Sequence, residues 1–240
     1  MLSRLSLIFF VLVVTGCAQT APKQQQTEMG NLLVPEPAPL SIRSQVAIAR
    51  FGQILSNAEL TDEDKAQLHF QRGMLYDSVG LGGLAQFDYN RAINFKPDMA
   101  EAYNSIGVHM VQQEEFSRAY EAFDSTLDID PGYDFAFLNR GIALYYGGRA
   151  DLAVSDLATF ANKAPDDPFR VLWAYFAESE YAPQTAQQQL SQRRENLPDS
   201  HWATGLVDLF LGQQTEKQLL DSLLSGITSE KELTDRLCEA

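Results

Sequence analysis

The chain has 240 residues, of which 45 % are hydrophobic and 21 % charged, an ordinary globular composition. Its formal net charge is −14, with 32 Asp and Glu against 18 Lys and Arg. That balance argues against nucleic acid and against a polybasic membrane patch, both of which require clustered cations, and reads simply as solubility. Cys17 and Cys238 lie near opposite ends, so no disulfide framework and no zinc-ligand spacing arises, and His69, His109 and His201 are scattered. Neither a metal nor an organic cofactor is implied.

Arg4 precedes an apolar run over 5–14 that is interrupted only by Ser6. The run is too short to span a bilayer and has the length of a signal-peptide core. It ends in Val14-Thr15-Gly16-Cys17. Small residues followed directly by Cys resemble the bacterial lipobox, in which the thiol is acylated before cleavage. On that reading 1–16 is a signal peptide and Cys17 is the lipidated first residue of the mature chain. Several acyl chains are needed, because one holds a protein only weakly at a membrane. Ordinary secretion and an uncleaved anchor are the alternatives. Ala18, rather than Asp, follows the Cys, which in bacterial lipoproteins implies the periplasmic face of the outer membrane. Residues 17–40 are rich in Gln, Thr and Pro, with Pro22, Pro35, Pro37 and Pro39, and read as an extended tether.

A helical segment is expected over 41–65. Ser41 would cap a helix reaching about Leu55, with Val46, Ala49, Ile54 and Leu55 on one apolar face, and that face is expected to support a homodimer. Thr61 caps the next helix, with acidic residues in its first turn.

A three-fold recurrence follows. Gly73, Gly107 and Gly141 stand 34 residues apart, as do Ala85, Ala119 and Ala153, and Pro97, Pro131 and Pro165. A period of this length with these residues marks the tetratricopeptide repeat, a helix–turn–helix unit. The expected fold is all-α, a solenoid of antiparallel helix pairs with an extra N-terminal helix and degenerate C-terminal helices. The repeats run 66–99, 100–133 and 134–167. Gly is costly inside a helix, so its recurrence at one phase implies close approach of the second helix. Tyr89, Phe123 and Leu157 would fill the space between units. Each Pro stops a second helix, because the residue before it is pushed out of the α region.

In this repeat type the second, fifth, ninth and twelfth positions of the first helix face a groove. Here these are Gln67, Phe70, Met74 and Asp77, then Glu101, Asn104, Val108 and Val111, then Phe135, Leu138, Ile142 and Tyr145. Asn139 and Arg140 would lie close by to hold a backbone or a carboxylate. Solenoids expose such surfaces to protein partners. The alternative is that the next helix of the chain covers the apolar stripe of the third unit. Adjacent carboxylates at Glu114-Glu115 and Asp166-Asp167 do not face one another on a helix and read as solvated or capping groups. No catalytic constellation emerges. A docking scaffold is favoured over a peptidoglycan hydrolase or a structural envelope lipoprotein without a partner.

Beyond 167 the period weakens. Asp166 and Asp167 are expected to cap a helix over 169–178 with Pro168 at its first position and Phe169, Leu172, Trp173 and Phe176 as an apolar stripe. Tyr175 stands where the period calls for Gly. Helices are expected over 183–195, 200–211 and 215–225, with Ser229 capping a last one. The segment 168–240 therefore reads as degenerate repeats, truncated or covered by another subunit.

Three stretches are more specific than the repeat: Arg72-Gly73-Met74-Leu75-Tyr76-Asp77-Ser78-Val79-Gly80-Leu81, Ala119-Tyr120-Glu121-Ala122-Phe123-Asp124-Ser125, and Leu138-Asn139-Arg140-Gly141-Ile142-Ala143-Leu144-Tyr145-Tyr146-Gly147-Gly148-Arg149. With the lipobox they closely resemble the NlpI family of bacterial outer-membrane lipoproteins, over essentially the whole chain. The resemblance implies a dimeric, non-catalytic periplasmic adaptor. Such an adaptor holds a tail-specific protease together with peptidoglycan endopeptidases and related hydrolases and so limits hydrolase levels. It also implies a further helical pair beyond the point matching Ala240.

Overall fold

The computed structural model describes residues 41–223, 227 and 229–239, so Cys17, the signal run and the tether lie outside the described residues. The described helices belong to one compact unit. They are α1 (Ile42–Asn57), α2 (Asp62–Ser78), α3 (Gly82–Phe95), α4 (Ala100–Gln112), α5 (Phe116–Ile129), α6 (Asp134–Tyr146), α7 (Ala150–Lys163), α8 (Pro168–Tyr181), α9 (Pro183–Arg194), α10 (Thr204–Phe210), α11 (Glu216–Leu223) and α12 (Glu230–Glu239). No strand occurs among the described residues.

Helices α2–α3, α4–α5 and α6–α7 are antiparallel hairpins, and each second helix packs on the first helix of the next pair. Every hairpin turns through one left-handed residue, and these too are 34 apart: Gly80 (φ 75°), Glu114 (φ 60°) and Gly148 (φ 75°). The turns close with the same long backbone bond, from Leu81, Glu115 and Arg149 N–H to the carbonyls of Tyr76, Met110 and Leu144. Glu114 holds this conformation without the freedom of Gly, at a local cost of about 1 kcal/mol. The second helices stop at Lys96, Asp130 and Ala164, all of which leave the α region ahead of Pro97, Pro131 and Pro165.

The recurrent glycines mark the closest helix–helix approach. A Cβ added to Gly73 would lie 2.6 Å from the Tyr89 ring, at Gly107 2.5 Å from the Phe123 ring, and at Gly141 2.6 Å from Leu157. Tyr89, Phe123 and Leu157 therefore fill the space within each hairpin, not between units as the period suggested. Ala85, Ala119 and Ala153 are fully buried beside them.

Repeats 1 and 3 add to the same seam an ion pair between a half-buried arginine and a buried carboxylate. Arg72 donates from Nε and Nη2 to Asp88 at 2.6 and 2.8 Å, and His69 Nδ1 lies 2.8 Å from the same carboxylate. One double period later, Arg140 donates to Asp156 at 2.7 and 2.8 Å. Repeat 2 places Ile106 and Ala122 at the equivalent positions. Burial pushes the Asp88 carboxyl up, but hydrogen bonds from Arg72 and His69 outweigh it and hold its pKa below the ordinary value.

At the N-terminus, Thr61 Oγ1 accepts from the Asp64 N–H at 3.1 Å and caps α2 as expected, whereas Ser41 makes no side-chain capping bond to α1. The expected apolar face of α1 divides in two. Ile54 and Leu55 are half-buried towards α2, while Val46 and Ala49 share an exposed stripe with Ile42 and Gln53. At the other end Asp167 Oδ1 accepts from the Phe169 and Arg170 N–H groups, with Pro168 opening α8. Tyr175, in the glycine position, packs on Phe210 and helps build a separate core with Val171, Leu172, Leu190 and Val207. Helix α10 starts only at Thr204, because Thr204 Oγ1 and the Ala203 N–H bond to the preceding turn at Pro198 and His201. Ser229 Oγ caps α12 by accepting from the Glu232 N–H at 3.1 Å.

The lowered pKa gives Asp88 a defined stability signature. Its contribution is fully present above the unfolded carboxylate value of about 4 and is lost as pH falls below it. Asp88→Asn should cost about 1.5–3 kcal/mol at neutral pH by leaving the half-buried Arg72 without its charge partner. It should also flatten the acid limb of stability against pH, measured by urea unfolding across that range.

Candidate functional site

The first helices form a row held together by polar bonds. Asn139 Nδ2 donates to Asn104 Oδ1 at 3.0 Å, joining α6 to α4. His109 Nε2 faces Asp77 at 3.0 Å, joining α4 to α2, and the Tyr89 hydroxyl donates to the same carboxylate at 2.6 Å. Burial and Asp77 push the Tyr89 hydroxyl above its ordinary pKa, so it remains a donor. On the opposite side the second helices α5 and α7 are separated by a cleft of about 380 Å³. Helices α4 and α6 approach one another more closely than α5 and α7 do, so the first helices form the tighter side of the stack.

The twelve expected groove positions divide into three groups. Gln67, Met74, Glu101 and Phe135 are exposed, Met74 by 52 % and Phe135 by 56 %. Phe70, Val108, Val111, Leu138, Ile142 and Tyr145 are half-buried and lean on the two central clusters of the core. Leu138, Ile142 and Tyr145 share theirs with Ala174 and Ala177 of α8, so the following helix covers part of the stripe. Asn104 is buried, and Asp77, though exposed, is held by Tyr89 and His109, so both tie repeat to repeat. The open contact surface is therefore mixed, with exposed apolar knobs at Met74 and Phe135, half-buried apolar side chains between them, and Gln67 and Glu101 as exposed polar positions.

Arg140 departs from its expected place. Its guanidinium bonds to Asp156 on α7 and, through Nη1, to Asp124 on α5 at 2.6 Å. It lines the cleft on the second-helix side and is not available to hold a partner in the first-helix row. Both carboxylates hold its pKa above the ordinary value, Asp156 the more strongly. Asn139 does remain on the row, bonded to Asn104. The signal for the Arg–Asp pairs was present in the sequence: Arg72 with Asp88 and Arg140 with Asp156 share a spacing of 16, two periods apart. Among the described residues no group of His, Cys, Asp and Glu could hold a metal ion, and no helix is long and apolar enough to cross a membrane.

No protein-family model matches the chain. Solved structures do resemble it. A tetratricopeptide-repeat protein from Parabacteroides merdae superposes with a TM-score of 0.57 at 17 % identity, covering 82 % of this chain and 78 % of that one. YrrB, described as a TPR protein with an unusual peptide-binding site, gives 0.54 at 17 % identity, covering 78 % of this chain and 91 % of YrrB. MamA gives 0.57 at 17 % identity over 64 % of this chain and 88 % of MamA. The chain has the tetratricopeptide-repeat fold.

Ties and contact positions separate by stability. Asn104→Ala removes the partner of Asn139 inside the row and should cost about 1–3 kcal/mol. Met74→Ala, at an exposed position, should stay within about 0.5 kcal/mol of the parent. Thermal and urea unfolding of the two variants provide the comparison.

Proposed function

We propose that this chain is a non-catalytic adaptor that docks segments of protein partners along its first-helix row. The observation that carries this reading is the pair of exposed apolar side chains Met74 and Phe135, on a row where Asp77, Asn104 and Asn139 are tied between repeats. Exposed apolar surface of this kind marks interaction sites. The peptide-binding site ascribed to YrrB supports the reading by analogy of fold.

The resemblance to the NlpI family makes it more specific. On that basis the partners are a tail-specific protease and peptidoglycan endopeptidases or other cell-wall hydrolases, and the role is control of hydrolase turnover. The chain would be lipid-anchored through Cys17 at the periplasmic face of the outer membrane. It would act as a homodimer, with the exposed stripe Ile42, Val46, Ala49 and Gln53 of α1 as the face between copies.

The test is binding of the purified chain to a purified tail-specific protease, by calorimetry or surface plasmon resonance. A buried apolar anchor typically carries 1 kcal/mol or more, about five-fold in affinity. Combined Met74→Ala, Phe135→Ala and Tyr145→Ala should therefore weaken the complex at least about ten-fold with helicity retained. Unchanged affinity with an unchanged melt would remove the first-helix row as the docking face. Turnover of peptidoglycan by the purified chain alone would overturn the non-catalytic reading.

A further inference from the structure

The second-helix side carries a separate surface. Stacking sets equivalent positions of successive repeats beside one another, so one outer row reads Leu84, Arg118, Leu152 and its neighbour reads Phe87, Glu121, Ser155. Both ends of this surface are apolar and open: Leu84 is 49 % exposed, Phe87 60 % and Leu152 44 %. Leu152 forms part of the wall of the cleft between α5 and α7, where Leu144 and Tyr120 supply further apolar lining.

The centre of the surface is anionic. Glu121, Asp124 and Asp128 are exposed along one face of α5. The lone cation of repeat 2, Arg118, is bonded to Glu115. Arg140 reaches Asp124 but is held bidentately by Asp156. No cation lies within ion-pair distance of Glu121 or Asp128 among the described residues. Asp128 also stands in the last turn of α5, where a carboxylate meets the negative end of the helix dipole. The fold leaves this charge uncompensated beside open apolar side chains, and charge complementarity selects the occupant.

We propose that this outer face docks a basic amphipathic segment of a partner protein. Its Lys or Arg side chains lie over Glu121 and Asp128, and an apolar side chain enters the cleft at Leu144 and Leu152. The surface is on the opposite side of the hairpins from the first-helix row, so the chain can hold two protein segments at once.

The test uses the full chain and a fluorescent helical peptide of Leu and Lys, read by anisotropy, with a Leu and Glu peptide as control. The Leu and Lys peptide should bind, and more weakly as salt screens the pair, about three-fold or more between low and physiological ionic strength. Glu121→Gln combined with Asp128→Asn should weaken binding about ten-fold, and Leu152→Ser about five-fold. The carboxylate variant should melt no lower than the parent, because Asp128 opposes the dipole of its helix. Met74→Ala with Phe135→Ala, on the first-helix row, should leave this affinity unchanged, which keeps the result independent of the adaptor reading. Asp98→Asn with Glu195→Gln, at exposed carboxylates elsewhere, should change it less than about two-fold. The proposal is overturned if this last pair weakens binding as much as the α5 pair, if the Leu and Glu peptide binds equally, if the Leu and Lys peptide does not bind, or if the α5 substitutions instead change the mass of the particle, which would make the occupant a second copy of the chain.

Discussion

Each hairpin depends on one contact, that of a helical glycine with a large side chain two turns into the opposing helix. Gly73 receives Tyr89, Gly107 receives Phe123 and Gly141 receives Leu157, at distances that exclude even one additional carbon. A glycine inside a helix costs about 0.5–1 kcal/mol. Burying an aromatic or leucine side chain contributes about 1.5–3 kcal/mol, so the exchange is favourable wherever the seam closes. Where the fourth unit carries Tyr175 in the glycine position, the seam does not close in this way. Tyr175 turns to Phe210 and Gln187, and the chain departs from the regular stack.

With the seams fixed, the remaining polar groups tie repeat to repeat. Asp77, Tyr89 and His109 lock the first unit to the second, and Asn104 and Asn139 lock the second to the third. Arg140 spans α5, α6 and α7 by bonding to Asp124 and Asp156. Every buried side-chain polar atom among the described residues has a hydrogen-bond partner. Both faces are therefore left defined by what they do not satisfy. The first-helix row presents apolar side chains, and the second-helix side presents apolar ends around unpaired carboxylates.

Much of the fold was legible because a repeat states its equivalences directly. The glycines, alanines and prolines located the hairpins, and Pro168 after Asp167 located α8 with its cap. Equivalence does not reveal which neighbour a position touches. Tyr89, Phe123 and Leu157 share a phase, yet only packing shows that they meet a glycine of their own hairpin. Arg140 looked like a free cation beside a groove because a guanidinium is long enough to reach either side of its helix. The stripe on α1 was misjudged because Val46 and Ala49 lie opposite Leu55, and a helix with one packed neighbour leaves an apolar face open.

The stack requires the space each glycine leaves for the facing side chain, rather than backbone freedom at that position. Unfolding a double-mutant cycle of Gly107→Ala and Phe123→Ala in urea tests it most directly. In the parent chain Gly107→Ala should cost about 1–3 kcal/mol by overpacking the seam. With Phe123→Ala the ring is gone, and the same change should be neutral or stabilising, since alanine is the better helix former by about 1 kcal/mol. An equal loss in both backgrounds would contradict the account.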